Sequence, residues 1–564
     1  MAYYYGVNNN KTQVDYTAYG TGYQVCLPMD TEINIPKDDP VRLLSAIIER
    51  MNLEALFATY CENGRIEYDP RRLLKICIYG YIRHIISARN LEQACQENTK
   101  FMYLLEGAAA PDHNTIARFR SQHLAACQEQ IQQELVRVLM ELGEISFEQS
   151  AVFIDGTKIE SVGNRYQFVW KKSVEKNYQK LQATMAEKLP GMLKSVGLRF
   201  YVSGEIKVKQ LKGIRKRLYA RMKQDGIEKV SGKGTRKSNA QKVLEQIEEW
   251  MRRITEYLRK IRICGDRSSY CKTDTEATFM RLKEDHMCNG QLKPAYNVNV
   301  ATVSEYIVGT YVSADRTDTK TTIPFMEKLR SAYPVQRVVY DSGYESEEAY
   351  RYFEEHPQLD LYVKPANYEQ KKHKKYKTDI SRRENMTYDP EADAYTCSQG
   401  KLLHKTGVRS IRTSTGYVSE KTVYECADCA GCPCKEKCIR SKSKVSLEER
   451  SKRLEVSRYF AAQRQTMEQK ISTEEGKTLR LNRSIQAEGV FAYTKTDLQF
   501  RRFMLRGKEK VGAEWSLLAM AYNILRMHHK AQNERLGTHL LAMKKTRKVF
   551  HGFSPNNRQI AQQI

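Results

Sequence analysis

The chain has 564 residues, 41% of them apolar, and its 93 Lys and Arg outnumber 67 Asp and Glu for a formal net charge of +26. That length allows about three or four domains with substantial cores, and the basic excess predicts a polyanionic partner, above all a nucleic acid. No run of about 18 apolar residues occurs, and the start Met1-Ala2-Tyr3-Tyr4-Tyr5-Gly6 lacks the basic, apolar, small-residue order of an export signal, so neither a membrane span nor export is expected. Of the 14 cysteines, eight stand singly (Cys26, Cys61, Cys77, Cys95, Cys127, Cys264, Cys271, Cys288) and read as reduced thiols of a cytoplasmic protein. The other six fall between 397 and 438.

In chain order, residues 1–34 are rich in Asn, Tyr and Thr without periodicity and read as an irregular arm. Residues 35–148 read as an all-α domain of five or six helices, opened by caps at Asp39-Pro40, Asp69-Pro70, Ser87 and Asp112. Its short helices and tight turns suit either a DNA-reading module or a helical packing domain. At 149–170 a run of β-formers, Ala151-Val152-Phe153-Ile154, delivers Asp155 and breaks at Gly156. Residues 171–262 carry two apolar helical stripes, Val174 to Leu189 and Val243 to Ile261, around a basic stretch from Lys207 to Lys237. They predict an inserted helical hairpin arm with a basic tip, which either is a solvated face or grips a duplex backbone.

Residues 263–366 return to sheet: Lys293–Val300 pairs as a hairpin with Tyr306–Val312, a helix follows, and Arg337–Tyr340 delivers Asp341 before Ser342-Gly343. A helix and the strand Leu359–Val363 complete a mixed α/β order with acids at the ends of two neighbouring strands, the order of an RNase H-like core. Residues 367–445 read as a basic, flexible, Cys-rich insertion, 446–528 as a charged helical part of the core, and 529–564 are expected to form a disordered basic tail suited to nonspecific DNA binding.

Two aspartates that converge on a hard cation need a third carboxylate to hold a pair of ions, about 3.5–4 Å apart, on either side of a phosphodiester. Glu488 is the choice because Lys495 lies seven residues on, along the same helix face; Glu509 and Glu514 lack that pairing. Candidate DNA contacts are Arg118, Arg120, Lys158, Lys495, Arg501, Arg502 and Arg506. The run Cys426-x2-Cys429-x2-Cys432-x-Cys434-x3-Cys438, with Cys397 upstream, has spacers that let thiolates turn back onto one tetrahedral ion. A structural Zn2+ is expected on Cys397, Cys426, Cys429 and Cys438, with Cys432 and Cys434 as competitors.

Several ordered blocks resemble one family. They are Tyr68-Asp69-Pro70-Arg71-Arg72-Leu73-Leu74-Lys75, Ser87-Ala88-Arg89-Asn90-Leu91-Glu92 and Pro111-Asp112-His113-Asn114-Thr115-Ile116-Ala117-Arg118-Phe119-Arg120, then Ile154-Asp155-Gly156-Thr157-Lys158, Asp341-Ser342-Gly343-Tyr344 and Glu488-Gly489-Val490-Phe491. Together, from about residue 35 to 528, they resemble bacterial DDE-type insertion-sequence transposases of the group eleven-eighty-two. The resemblance implies an RNase H-like catalytic domain, Asp155, Asp341 and Glu488 as ligands of two Mg2+ or Mn2+ ions, and cleavage and strand transfer at inverted-repeat ends. It also implies terminal-repeat and target DNA as partners, a homodimer or larger synaptic assembly, and a nucleoid-associated cytoplasmic protein. Glu488 and Lys495 match the last two residues of the Tyr-Arg-Glu-Lys signature of related transposases; Leu481 stands in the Tyr position, Ser484 in the Arg position, and Arg483 is one place off. A nuclease or resolvase of the same fold, or an inactive zinc-stabilised DNA-binding regulator, are the alternatives.

Overall fold

The computed structural model describes residues 34–60, 68–201, 204–231, 236–283, 290–440, 443 and 445–538. The expected arm at 1–34 therefore lies almost entirely outside the described residues, as do Cys26, Cys61, Cys288 and the tail beyond 538.

The N-terminal helices begin where the capping signals put them. Asp39, Asp69, Ser87 and Asp112 each accept a backbone N–H at the starts of α1 (Pro40–Arg50), α2 (Pro70–Ile82), α3 (Ala88–Glu97) and α5 (His113–Arg118), while α4 (Thr99–Leu105) is capped by Asn98. Helix α5 runs through a π-helical turn, Phe119–His123, into α6 (Leu124–Glu141).

The main sheet contains β1 (Val152–Glu160), β4 (Thr278–Arg281), β5 (Leu292–Val303), β6 (Tyr306–Ser313), β7 (Arg337–Tyr340) and β8 (Asp360–Val363). Its order is β4-β5-β1-β7-β8 with β6 also paired to β5; β1 is antiparallel to β5 and parallel to β7, which is parallel to β8. The connections to the parallel strands run through α10 (Thr322–Ala332) before β7 and α11 (Glu347–Glu355) before β8. The short ribbon of β2 (Phe168–Trp170) and β3 (Ser269–Cys271) flanks the inserted arm.

Three corrections to the sequence expectations concern this architecture. The arm is built of three helices, α7 (Lys171–Lys194), α8 (Val208–Gln224) and α9 (Asn239–Cys264), with its own core around Leu181, Met185, Leu218 and Trp250. Most of what read as a basic tip is α8, whose Leu211, Ile214, Leu218 and Met222 are buried, while 232–235 of that stretch lies outside the described residues; the interspersed cations hide that 3.6-residue stripe. The Cys-rich stretch is a five-stranded antiparallel sheet, β9 (Thr387–Asp389), β10 (Ala394–Thr396), β11 (Leu402–Arg412), β12 (Val418–Glu425) and β13 (Arg453–Val456), so it extends past 445. Most β11 side chains are exposed or half-exposed, which leaves little alternating apolar signal. Finally, the last helix, α14 (Lys508–Gln532), passes the expected end at 528, and its Lys530 is buried against Glu144 while Arg535 pairs with Glu305 at 3.2 Å. Those two cations hold the fold together and belong to no free basic tail.

Every residue of α14 from Val511 to Ile524 is buried, because the helix lies between the N-terminal helices α2 and α6 and the strand β6. One continuous apolar core thus joins the helical domain to the sheet. Among the described residues, no helix is long and apolar enough to cross a membrane.

Helix α12 (Arg458–Ser472) turns into α13 (Glu474–Arg483) so tightly that a Cβ on Gly476 would lie 2.4 Å from the Lys470 carbonyl oxygen and 2.6 Å from Ile471 Cα. Backbone cannot give way as a side-chain tip can. Gly476→Ala is expected to lower stability by about 1–3 kcal/mol, read as a lower unfolding temperature; an unchanged temperature would show that the two helices can separate freely.

Candidate active site

Parallel pairing of Ile154 with Tyr340 sets the next residues of β1 and β7, Asp155 and Asp341, side by side at one end of the sheet. The third acid arrives from α13, which continues into a π-helical turn, Ser484–Glu488, then one α-turn, Gly489–Ala492, and a second π-helical turn, Tyr493–Asp497. A π-turn places residues five apart on one face, and such turns recur at functional sites. Arg483 and Glu488 are five apart, so Arg483 takes up the position that a regular helix would give to Ser484. The one-residue mismatch with the Tyr-Arg-Glu-Lys signature is absorbed by this turn.

The guanidinium of Arg483 lies between all three acids. Its Nη1 is 3.3 Å from Asp155 Oδ2, and its Nη2 is 3.7 Å from Asp341 Oδ1 and 2.6 Å from Glu488 Oε1; Ser484 Oγ also donates to Glu488 Oε2 at 3.1 Å. The Arg483 side chain is 11% exposed and that of Asp155 16%. Burial pushes Asp155 up to about 6, against the pull of Arg483, with the Asp341 and Glu488 charges adding to the rise. Burial also opposes the charge on Arg483, yet the three carboxylates hold its pKa above the ordinary arginine value. Lys495 donates from Nζ to Thr157 Oγ1 at 2.8 Å, which fixes it over β1 two residues beyond Asp155.

Asp318, after β6, went unnoticed in the sequence. Asn297 Nδ2 donates to its Oδ1 at 2.7 Å, and Gly343 makes room for it, since a Cβ there would come within 3.1 Å of its carboxylate; at Gly156 a Cβ would meet Tyr344 Oη at 2.7 Å and Asn299 Oδ1 at 2.9 Å before the Asp318 carboxylate at 3.2 Å. The Asp-Gly and Asp-Ser-Gly patterns thus serve close packing around Tyr344, Asn299 and a fourth acid. No motif surrounds Asp318 to have flagged it.

The turn between β5 and β6 braces the Ser484–Glu488 π-turn. Ser304 and Glu305 both have positive φ, 53° and 76°, a conformation that costs a non-glycine residue of order 1 kcal/mol or more. The Glu305 amide donates to Gln486 Oε1 at 3.0 Å, and its buried carboxylate faces Arg526 and Arg535. These contacts hold the turn and fix the backbone two residues before Glu488.

Two family models match the chain: a transposase DDE domain over residues 396–528, which includes Glu488, and a transposase domain (DUF772) over residues 29–122. The chain is a DDE-type insertion-sequence transposase. No curated protein matches it. The DDE match begins within the Cys-bearing sheet, so that sheet is continuous in the transposase with the part that supplies Glu488.

The other expected DNA contacts of the transposase divide by burial. Arg118 and Arg501 are exposed and Lys158 is half-buried beside Asp318. Arg506 lines a cleft of about 770 Å3 with Lys328, Lys508 and Glu129. Arg120 is a correction: it is 3% exposed, donates to the Ile86 carbonyl at 2.6 Å, and lies beside the buried Glu514. Arg502 is exposed, and its guanidinium donates to the carbonyls of Ser161, Val162 and Gly163, which ties down the end of β1. Glu514 accepts the amides of Met504 and Leu505 at 3.0 Å, which makes it a structural acid.

Cys397, Cys426, Cys429, Cys432, Cys434 and Cys438 all line one small cavity at the edge of the second sheet. Burial pushes the Cys426 thiol up to about 11, with Cys429 and Cys397 contributing. Among the described residues, no three His, Cys, Asp or Glu side chains gather in a metal-ready arrangement, neither here nor among the three acids, where Arg483 occupies the space between them.

Proposed function

We propose that this transposase cuts DNA at the inverted-repeat ends of its element and joins those ends to target DNA, with Asp155, Asp341 and Glu488 holding two Mg2+ or Mn2+ ions. The observation that carries this reading is the Arg483 guanidinium between the three carboxylates. A cation sheltered by hard oxygen donors marks a place whose donor set suits divalent ions, with an arginine standing in for them. The strand order, with an antiparallel part of four strands continued by two parallel ones and acids at the ends of the adjacent β1 and β7, supports an RNase H-like core.

Bound ions would stabilise the attacking and leaving oxygens of an in-line displacement at phosphorus. The chain's own residues do the rest. The side-by-side strands fix the spacing of Asp155 and Asp341, and the π-turn brings Glu488 to them. With the acids neutralised, the Arg483 guanidinium would be free to grip a DNA phosphate in bidentate fashion. Lys495, held by Thr157, offers a second cation on the same side. The partner is DNA, as terminal repeat and as target, and bringing two ends together calls for at least a dimer in the nucleoid-bearing cytoplasm.

The test is purified protein, Mg2+ and a labelled duplex ending in the candidate repeat. Nicked and joined products support the reading; nicks without joined products favour a nuclease of the same fold; no cleavage with Mg2+ or Mn2+ would contradict it. Arg483→Gln should bind Mn2+ more tightly than the wild type, because the ions no longer compete with a guanidinium. Equal affinities would show that Arg483 does not stand in their place.

The six thiols that line the small cavity are soft donors of the kind that suits Zn2+, and a bound ion would draw them together from their present spacing, with Cys397, Cys426, Cys429 and Cys438 as the proposed ligands and Cys432 and Cys434 as competitors. Elemental analysis should find about one zinc per chain, lost in a Cys426→Ser/Cys429→Ser variant together with a drop in unfolding temperature. A zinc-free, equally stable wild type would rule the site out.

A further inference from the structure

The inserted arm is the most basic part of the chain. Residues 171–264 hold 25 Lys and Arg against 9 Asp and Glu, a net +16 of the whole +26. Its helices manage that charge differently. On α9, Arg252, Arg259 and Lys260 are paired with Glu249 and Glu256. Helix α8 contains seven Lys and Arg and no acid. Arg221 reaches Asp225 at 3.4 Å and Arg215 approaches Glu248 at 3.9 Å. Among the described residues, Lys209, Lys212, Lys216, Arg217 and Lys223 have no carboxylate partner, and all five are exposed.

At 100° per residue these five cations fall on one face, opposite the buried Leu211, Ile214, Leu218 and Met222. Like charges three and four residues apart repel, at a cost of roughly 0.2–0.5 kcal/mol per pair. The same face carries Gly213 and Ala220. Among the described residues, nothing outside the helix's own adjacent backbone lies within 4 Å of where a Gly213 Cβ would be, so no described contact requires glycine, although glycine in a helix interior costs roughly 0.5–1 kcal/mol relative to alanine. A ridge that repels itself and is cut low at its middle is explained by something from outside that carries negative charge and approaches closely.

We propose that the outer face of α8 is a DNA-binding surface that holds the sugar-phosphate backbone of duplex DNA without reading its sequence. The helix is about 25 Å long by its rise of about 1.5 Å per residue. A duplex carries one phosphate charge per roughly 1.7 Å of axis, so a stretch of that length presents phosphates to all five cations. Gly213 and Ala220 let the backbone sit down between them. The proposal rests on the transposase reading only in taking duplex DNA as the partner.

The test uses the full chain and a variant with Lys209, Lys212, Lys216, Arg217 and Lys223 all changed to Gln, a good helix former at exposed positions; an unchanged circular dichroism spectrum verifies the fold. Affinity for a fluorescent duplex of unrelated sequence is measured against salt concentration. Each phosphate contact contributes about 0.9 to the slope of log K against log salt, so the variant's slope should fall by about 4.5 if all five contact phosphates, with a loss of affinity of 100-fold or more at low salt. Gly213→Leu alone should weaken binding at least 3-fold while raising the unfolding temperature. A variant whose slope stays within one contact of the wild type overturns the surface while leaving the transposase reading intact. A loss confined to single-stranded RNA overturns it in favour of a different partner, and a wild type that binds no duplex overturns both.

Discussion

Asp341→Asn and Glu488→Gln should each reduce Mg2+-dependent cleavage of a repeat-end duplex by about a thousandfold or more, roughly 4 kcal/mol of transition-state stabilisation, while DNA affinity stays within a few-fold of the wild type. The amides keep the shape of the side chains and lose the charge. In the absence of ions each substitution also removes one of the three partners of Arg483. Asp155→Asn should be the best tolerated in stability, since burial already disfavours its ionised form and lifts it to about 6, yet its cleavage defect should be as complete. Gel assays of cleavage and anisotropy of binding on the same preparations separate the two effects. An Asp155 variant that retains cleavage would remove that residue from the site.

The second large effect belongs to Glu514. Its carboxylate is fully buried, caps the amides of Met504 and Leu505, and faces Arg120 and Tyr81 from the N-terminal domain. Burial raises its pKa, with Arg120 and the two amides opposing the rise. Glu514→Ala leaves the Arg120 charge buried without its acid partner, a type of change that costs about 3–5 kcal/mol. The variant should unfold at a markedly lower temperature and expose the 500–506 segment, including Arg501 and Arg506, to limited proteolysis. Glu514→Gln, which keeps one acceptor oxygen for the amides, should fall between. An Ala variant as stable as the wild type would show that this acid does not join the helical domain to α14.

Much of this site was legible from the residues. Strand ends are written in runs of β-formers followed by glycine, and helix starts in Asp-Pro and Ser caps, because both depend on local backbone chemistry. Arg483 was visible as a misplaced signature residue, but its role depends on a π-turn, and a change of helical hydrogen bonding leaves no mark in spacing. Arg120 looked like a surface cation because sequence carries charge and not burial, and Arg502, although exposed, is tied to backbone carbonyls that no local pattern announces. Lys530 misled for the same reason, since a lysine paired with a buried glutamate 386 positions away reads locally as part of a basic tail. The third arm helix was masked by its own cations, and the exposed second sheet had little apolar alternation to reveal it.

The most direct measurement is Mn2+ binding by electron paramagnetic resonance, on the protein in complex with a repeat-end duplex. Saturable binding of about two ions per active site that disappears in an Asp155→Asn/Asp341→Asn double variant is the predicted result. Undiminished binding in the double variant, with cleavage still dependent on the metal, would contradict it.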